Sequence, residues 1–192
     1  MTRLKLFTLA AASLVALVET AHAEVPKGWF PNGEGLSNYT VATDKAVTYH
    51  GHPSVSITAK TSEPSGFGGL MQATAADEYK RKRIRLSAYM KTSDVHGGGA
   101  LGAHLWFRVD GANHKMLGFD NMDARPVTGT TPWTRYEIVL DVPEESIGLA
   151  YGFFLNSGGT VWAARFKLEE VGSDVPTTNS LAQHPANLDF EQ

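Results

Sequence analysis

One segment of the sequence places an imidazole, an indole and a guanidinium at alternate positions. Between Leu101 and Val109, apolar residues alternate with His104, Trp106 and Arg108. Because successive side chains of a β-strand point to opposite faces, these three side chains would share one face. An indole ring can stack on the C–H face of a sugar while polar neighbours bind its hydroxyl groups. The spacing therefore predicts a surface that binds a saccharide or a similar small polar ligand.

We expect two neighbouring strands to extend this surface. The residues that they would add are Tyr89, Lys91, Phe154 and Asn156. Gly152, which has no side chain, would leave a hollow over the sheet. The competing interpretation is that Trp106 and Phe154 only cover this face of the sheet beneath a loop.

Catalytic motifs are absent from the sequence, which contains no G-x-S-x-G elbow, no zincin helix and no phosphate-binding loop. Asp110, Asp120 and Asp123 lie on adjacent predicted loops near Arg125, and a pair of carboxylates can supply acid and base catalysis. Aspartates that form turns are the more common case. An enzyme that uses these carboxylates therefore stays a lesser alternative.

A metal site or a cofactor is not expected. His50 and His52 could bind a metal from one strand face, but Gly51 and Pro53 indicate a turn there. No carboxylate or cysteine completes a recognisable ligand spacing.

All of these candidate residues lie on or next to predicted β-strands. Apolar residues recur at every second position, and clusters of Gly, Pro, Asn and Asp separate the runs. The strands that this pattern predicts include 55–59, 84–90, 101–109, 147–155 and 162–168. In the last of these, we expect Trp162, Ala164 and Phe166 to share one face. The pattern favours an all-β protein with two antiparallel sheets, a β-sandwich or jelly roll.

The composition excludes several partners. The chain has 17 Lys and Arg against 20 Asp and Glu, a net charge of −3. Nucleic-acid and anionic-membrane partners favour a basic excess, so we expect neither. The basic cluster 80–83 is short and starts a predicted strand, which is typical of a solvated loop. The chain has no cysteine, so neither disulfides nor thiolate chemistry are available to it.

The first 23 residues have the pattern of a secretory signal peptide. Arg3 and Lys5 precede the apolar run 6–18, and Ala21–Ala23 fits the A-x-A cleavage pattern. The run is shorter than the about 20 residues of a membrane-spanning helix, so we expect no membrane insertion after cleavage. The sequence therefore predicts a periplasmic or secreted protein that begins at Glu24.

The rest of the chain predicts one domain and a tail. Residues 24–175 carry the strand pattern and have the size of a single jelly-roll domain. Residues 176–192 are rich in Pro, Thr, Asn, Ser and Gln, which is typical of a linker. Leu188 and Phe190 alternate within 187–191, so this segment is either an extra strand or frayed tail.

Several segments resemble the jelly-roll carbohydrate-binding modules of the galactose-binding-like superfamily and related accessory domains beside bacterial regulators and hydrolases. They are 49–57, similar to "H-S-G-x-x-S-hydrophobic"; 79–91, similar to "Y-R-G-K-R-V-R-L-S-A"; 129–136, similar to "G-T-x-x-W-x-x-Y"; and the closing strand 159–171. The resemblance implies the jelly-roll fold, with Trp133 and Trp162 as core or rim residues.

The chain departs from this pattern in two places. Many such modules hold a structural calcium with aspartates of the closing strand, where this chain has Ala163–Arg165. We therefore expect no calcium of that type. The sequence "N-L-x-F-E", which commonly opens such modules, stands here at 187–191. Either the last segment fills the place of the first strand, or it is the remnant of a second module.

Three functions remain open. The first is an exported, non-catalytic domain that binds a saccharide or small polar ligand on a concave sheet face. The second is an envelope module for protein interaction or dimerisation, and the third is a small enzyme that uses loop carboxylates. A groove with exposed aromatic rings would favour the first, a broad apolar patch the second, and a deep pocket with paired carboxylates the third. The oligomeric state is open.

Overall fold

A computed structural model of the chain describes residues 24–178. The predicted signal peptide and the predicted strand at 187–191 lie outside the described residues. Within 24–178, the chain forms the predicted all-β architecture.

Ten strands and two short 3₁₀ helices make up the described residues. The strands are β1 (Phe30–Asn32), β2 (Tyr39–Tyr49), β3 (His52–Ala59), β4 (Gly68–Ala75), β5 (Lys82–Val95), β6 (Ala103–Gly111), β7 (Met116–Asp120), β8 (Gly129–Val142), β9 (Ser146–Leu155) and β10 (Thr160–Val171). The 3₁₀ helices are Leu36–Asn38 and Ala112–His114. No helix among residues 24–178 is long and apolar enough to cross a membrane.

The strands form two antiparallel sheets that pack face to face. Sheet A has the order β1-β4-β9-β6-β7, and sheet B has the order β2-β3-β10-β5-β8. The inner faces meet in one apolar core, to which Phe107 and Phe153 contribute from sheet A and Ile57 and Leu86 from sheet B. Burial of these alternating side chains is what holds the two layers together. The fold is a two-sheet β-sandwich.

The predicted strands correspond to β3, β5, β6, β9 and β10, with two corrections at their ends. Leu101 precedes β6 and is 47% exposed, although the alternation placed it with the core residues. Ile147, at the start of β9, is 59% exposed, although the alternation also placed it with the core residues. Alternation alone does not show where a strand leaves the sandwich.

The expected faces of β10 were wrong because the strand contains a bulge. The pairing of β10 with β5 shifts between Ala164 and Lys167. Before the shift, Val161 and Ala163 face the core and Trp162 lies on the outer face; beyond it, Phe166 packs against the core. One extra residue in a strand moves the following side chains to the opposite face. Trp162 and Phe166 therefore lie on opposite faces.

Candidate functional site

A groove of about 540 Å³ lies on the outer face of sheet A. Strand β6 runs along it between β9 and β7, so outward side chains of these three strands line it. Its lining residues include Trp106, Arg108, Phe119, Asp123, Phe154 and Asn156. The structure thus brings four of the predicted site residues, Trp106, Arg108, Phe154 and Asn156, to one groove.

Trp106 lies at the middle of this surface. It is opposite Gly152 in the pairing of β6 with β9 and is 7% exposed. The absence of a side chain at Gly152 also allows β4 to approach, since a Cβ atom there would lie 2.1 Å from the Leu70 backbone oxygen. The indole is therefore mostly buried, and only a small part of it is available to a ligand.

His104 lies beneath the groove rather than in it. Its side chain is fully buried, and its ring stacks on Phe154 with centroids 4.4 Å apart and planes 3° apart. The Nδ1 atom is 3.0 Å from the Asn121 backbone oxygen, which can only accept, so Nδ1 carries the proton and donates. Burial lowers the pKa of His104. The ring is therefore a neutral support for Phe154.

Arg108 is the basic residue of the groove. Its Nε atom lies 2.8 Å from an oxygen of Asp110, and its side chain is 41% exposed. The outward donors of the guanidinium can bind hydroxyl or carboxylate oxygens of a ligand.

Asn156 closes one end of the groove and also holds the adjacent loop. Its Oδ1 atom accepts a hydrogen bond from the Gly102 backbone N–H at 2.8 Å. Its Nδ2 atom donates to the Ala100 backbone oxygen at 3.0 Å. Its first role in the structure is therefore to position the chain that enters β6.

The expectation that β5 neighbours β6 was wrong. Strand β5 belongs to sheet B, and Tyr89 and Lys91 lie on the outer face of that sheet, away from the groove. Tyr89 stacks on Tyr49, with ring centroids 4.2 Å apart. The Nζ atom of Lys91 lies 5.8 Å from the centre of the Trp162 ring. The alternation of residues within one strand does not show which strands are its neighbours in the sheet.

The groove also contains residues that the sequence patterns did not indicate. Asn32 of β1 lines it, and the Asn32 Oδ1 atom is buried with no hydrogen-bond partner within 24–178. Phe67 packs edge-on to Phe154 at 5.3 Å, and Glu34 adds a carboxylate. A strand of three residues such as β1 is too short for a periodic signal, so nothing in the sequence pointed to Asn32.

Two of the three predicted loop carboxylates, Asp120 and Asp110, have structural partners. Both oxygens of Asp120 accept hydrogen bonds from Arg125, at 3.2 and 2.6 Å, and Asp120 is 1% exposed. Asp110 pairs with Arg108. Residues 24–178 contain no cluster of three or more His, Cys, Asp or Glu side chains that could hold a metal ion.

Comparison with known proteins gives one close sequence relative. The chain is 40% identical over 172 residues to YbfP of Bacillus subtilis (strain 168), an uncharacterised HTH-type transcriptional regulator. The match covers 86% of this chain and 57% of that protein. No family model matches the chain.

Solved structures resemble the protein in fold. A tailspike protein of bacteriophage CBA120 matches with a TM-score of 0.58 at 14% identity, over 76% of this chain and 20% of the tailspike chain. The CBM22-1 xylan-binding domain of Paenibacillus barcinonensis Xyn10C matches with a TM-score of 0.51 at 18% identity, over 76% of this chain and 87% of that domain. The protein has the jelly-roll fold of carbohydrate-binding modules. At these identities, the likeness concerns the fold alone.

Proposed function

We propose that the protein is an exported, non-catalytic domain that binds a saccharide in the groove of sheet A. The observation that carries this proposal is the groove itself, in which Trp106, Phe119 and Phe154 lie beside the polar groups of Arg108 and Asn32. Aromatic rings beside a few convergent polar groups are typical of small-ligand sites. The relative from Paenibacillus is a xylan-binding domain, which makes xylo-oligosaccharides the first probes.

An unsatisfied polar atom of the groove also supports a hydroxyl-rich ligand. The Oδ1 atom of Asn32 is buried without a hydrogen-bond partner among the described residues. This atom accepts hydrogen bonds, and a buried acceptor without a donor is destabilising. A saccharide hydroxyl can donate to Asn32, which lines the groove.

A second candidate is a ligand-sensing domain of the type that accompanies a DNA-binding unit. The 40% identity to an HTH-type regulator favours it. Residues 24–178 contain only 3₁₀ helices of three residues, which cannot form a helix-turn-helix. In this alternative, the groove binds the same class of ligand but reports it to another domain.

The test is a titration of the protein with xylohexaose, preceded by a glycan array to find better ligands. The indole N–H signal of Trp106, assigned with a Trp106→Phe variant, reports on the groove in ¹H–¹⁵N spectra. We expect saturable shifts of this signal with a saccharide of the array. If no glycan binds with a Kd below about 1 mM, the proposal is wrong.

A further inference from the structure

A second cavity, of about 750 Å³, opens between the two sheets at the side where β3 and β10 separate. The pairing of β10 with β3 ends at Ala163, whereas its pairing with β5 continues to Val171. The cavity is lined from sheet A by β4 and β9, and from sheet B by β2, β3 and β10. It is thus separate from the groove, which lies on the outer face of sheet A.

The lining of this cavity is basic in a protein that is acidic as a whole. Lys27, Lys45, Arg165 and Lys167 line it, against a single acidic residue, Glu24, while the chain carries a net charge of −3. Lys167 bonds to Glu169. The side chains of the other three basic residues have no ion pair or hydrogen bond within 24–178. Three basic side chains without an ion pair, against one carboxylate in the lining, would attract an anion.

The backbone at Arg165 supports a built site. Arg165 is the extra residue of the β10 bulge and has a φ of 58°, in the left-handed region that costs energy for a residue with a side chain. Bulges often re-aim a side chain next to a functional site, and such backbone strain is a recognised mark of function. Here the bulge contains Arg165, which is exposed and lines the cavity, next to Phe166, which packs against the core.

Aromatic rings line the same cavity. Trp29 is half-buried and packs on Phe166 at 4.7 Å and edge-on to Tyr151 at 5.9 Å. Both Trp29 and Tyr151 line the cavity. A site of this kind presents a flat apolar surface in addition to positive charge.

We infer that this cavity binds a small organic anion. Its carboxylate or phosphate group would face Arg165, Lys45 and Lys27, and its body would lie against Trp29. This site is distinct from the saccharide groove, and neither depends on the other.

The test compares four probes in ¹H–¹⁵N spectra of the protein. D-galacturonate carries a carboxylate, glucose 6-phosphate carries a phosphate, D-galactose is neutral, and inorganic phosphate has no organic body. The chain has four tryptophans, and the indole signals of Trp29 and Trp106 are assigned by replacing each with Phe. We expect one or both organic anions to shift the Trp29 signal saturably and leave the Trp106 signal in place.

The decisive variant is Arg165→Gln, which should lower the affinity for the organic anion at least about tenfold. Arg81→Gln is the matched control, since Arg81 is also exposed, has a φ of 60° and lies outside the cavity. It should bind as the parent protein does. A second variant, Lys45→Gln, should weaken binding in the same direction and involves no strained backbone.

Three results would overturn the inference. The first is no shift of the Trp29 signal with either organic anion up to about 10 mM. The second is an equal shift of the Trp29 signal with galactose or with inorganic phosphate, because the site would then not require both a negative charge and an organic body. The third is equal loss of affinity in Arg165→Gln and Arg81→Gln.

Discussion

Trp106 and Arg108 share a surface but differ in what each contributes to folding. Because Trp106 is 7% exposed, Trp106→Ala should cost about 3–5 kcal/mol of stability and cannot separate folding from binding. The side chain of Arg108 is 41% exposed, and an exposed ion pair such as the one with Asp110 contributes little stability. Arg108 is therefore the residue that tests the groove.

Arg108→Gln should weaken saccharide binding about tenfold or more while changing the free energy of unfolding by less than about 1 kcal/mol. Calorimetric titration and urea denaturation measure the two effects. Arg135→Gln, on the outer face of sheet B, is the control because Arg135 is also exposed and ion-paired. If Arg108→Gln binds as tightly as the parent, the ligand does not contact this guanidinium.

The buried ring of His104 predicts a pH effect on stability. Burial lowers its pKa from 6.5, and the hydrogen bond to the Asn121 backbone oxygen and the charge of Asp123 oppose this only in part. The unfolded chain then takes up a proton at a higher pH than the folded protein does. The stability from the neutral ring is present above the unfolded-state pKa and is lost as the pH falls towards the folded-state pKa.

We therefore expect the free energy of unfolding to decline between about pH 7.5 and pH 5. His104→Asn should show a flatter decline over this range. His114→Asn is the control because His114 is exposed. Equal pH slopes in all three proteins would contradict the assignment to His104.

For the strands, the sequence predicted the alternation of core and surface residues but not the order of the strands in the two sheets. Alternation indicated the core faces of β5, β6 and β9, since each is regular over most of its predicted apolar residues and these are buried. Such a pattern does not show the bulge at Arg165, so Trp162 was wrongly expected to share the face of Phe166. The order of the strands depends on pairing between segments that are far apart in the sequence. This pairing places Tyr89 and Trp106 in different sheets and brings Asn32 to the groove.

Strand β4 lies so close to β9 at Gly152 that a side chain at this position should destabilise the protein. A Cβ atom at this position would lie 2.1 Å from the Leu70 backbone oxygen and 2.9 Å from the Met71 Cα atom. Gly152→Ala should therefore destabilise the protein by about 1–3 kcal/mol, measured by urea denaturation. Gly148→Ala in the same strand is the control, because its Cβ atom would meet only the Thr74 backbone oxygen, at 3.6 Å. Similar effects of both substitutions would mean that β4 moves away at no cost.

For the molecule as a whole, we predict that no bound calcium ion contributes to its stability. The closing strand has Ala163–Arg165 where the resembling modules have aspartates, and residues 24–178 contain no cluster of three acidic or histidine side chains suited to a metal. Removal of a bound ion would lower the thermal midpoint. We expect a strong chelator such as EDTA to leave the midpoint unchanged, measured by scanning calorimetry. A fall of several degrees would identify a cation held by other oxygens.

The cellular location separates the two candidate functions. A DNA-binding regulator acts in the cytoplasm, whereas the basic residues, apolar run and A-x-A sequence of residues 1–23 are typical of an exported protein. We propose export, because all three parts of the signal pattern occur in the required order. The groove would then meet saccharides outside the cytoplasmic membrane, where a domain without cysteine folds independently of the redox environment.

Cell fractionation followed by intact-mass measurement tests this proposal. We expect the protein in the periplasm or medium, with Glu24 as its first residue. A variant with Leu14→Arg and Val15→Arg interrupts the apolar run and should remain in the cytoplasm at full length. Lys5→Arg, which retains the positive charge before the run, is the control and should be exported and cleaved like the parent. Full-length parent protein in the cytoplasm would instead favour the ligand-sensing alternative, because there the groove could act beside a DNA-binding unit.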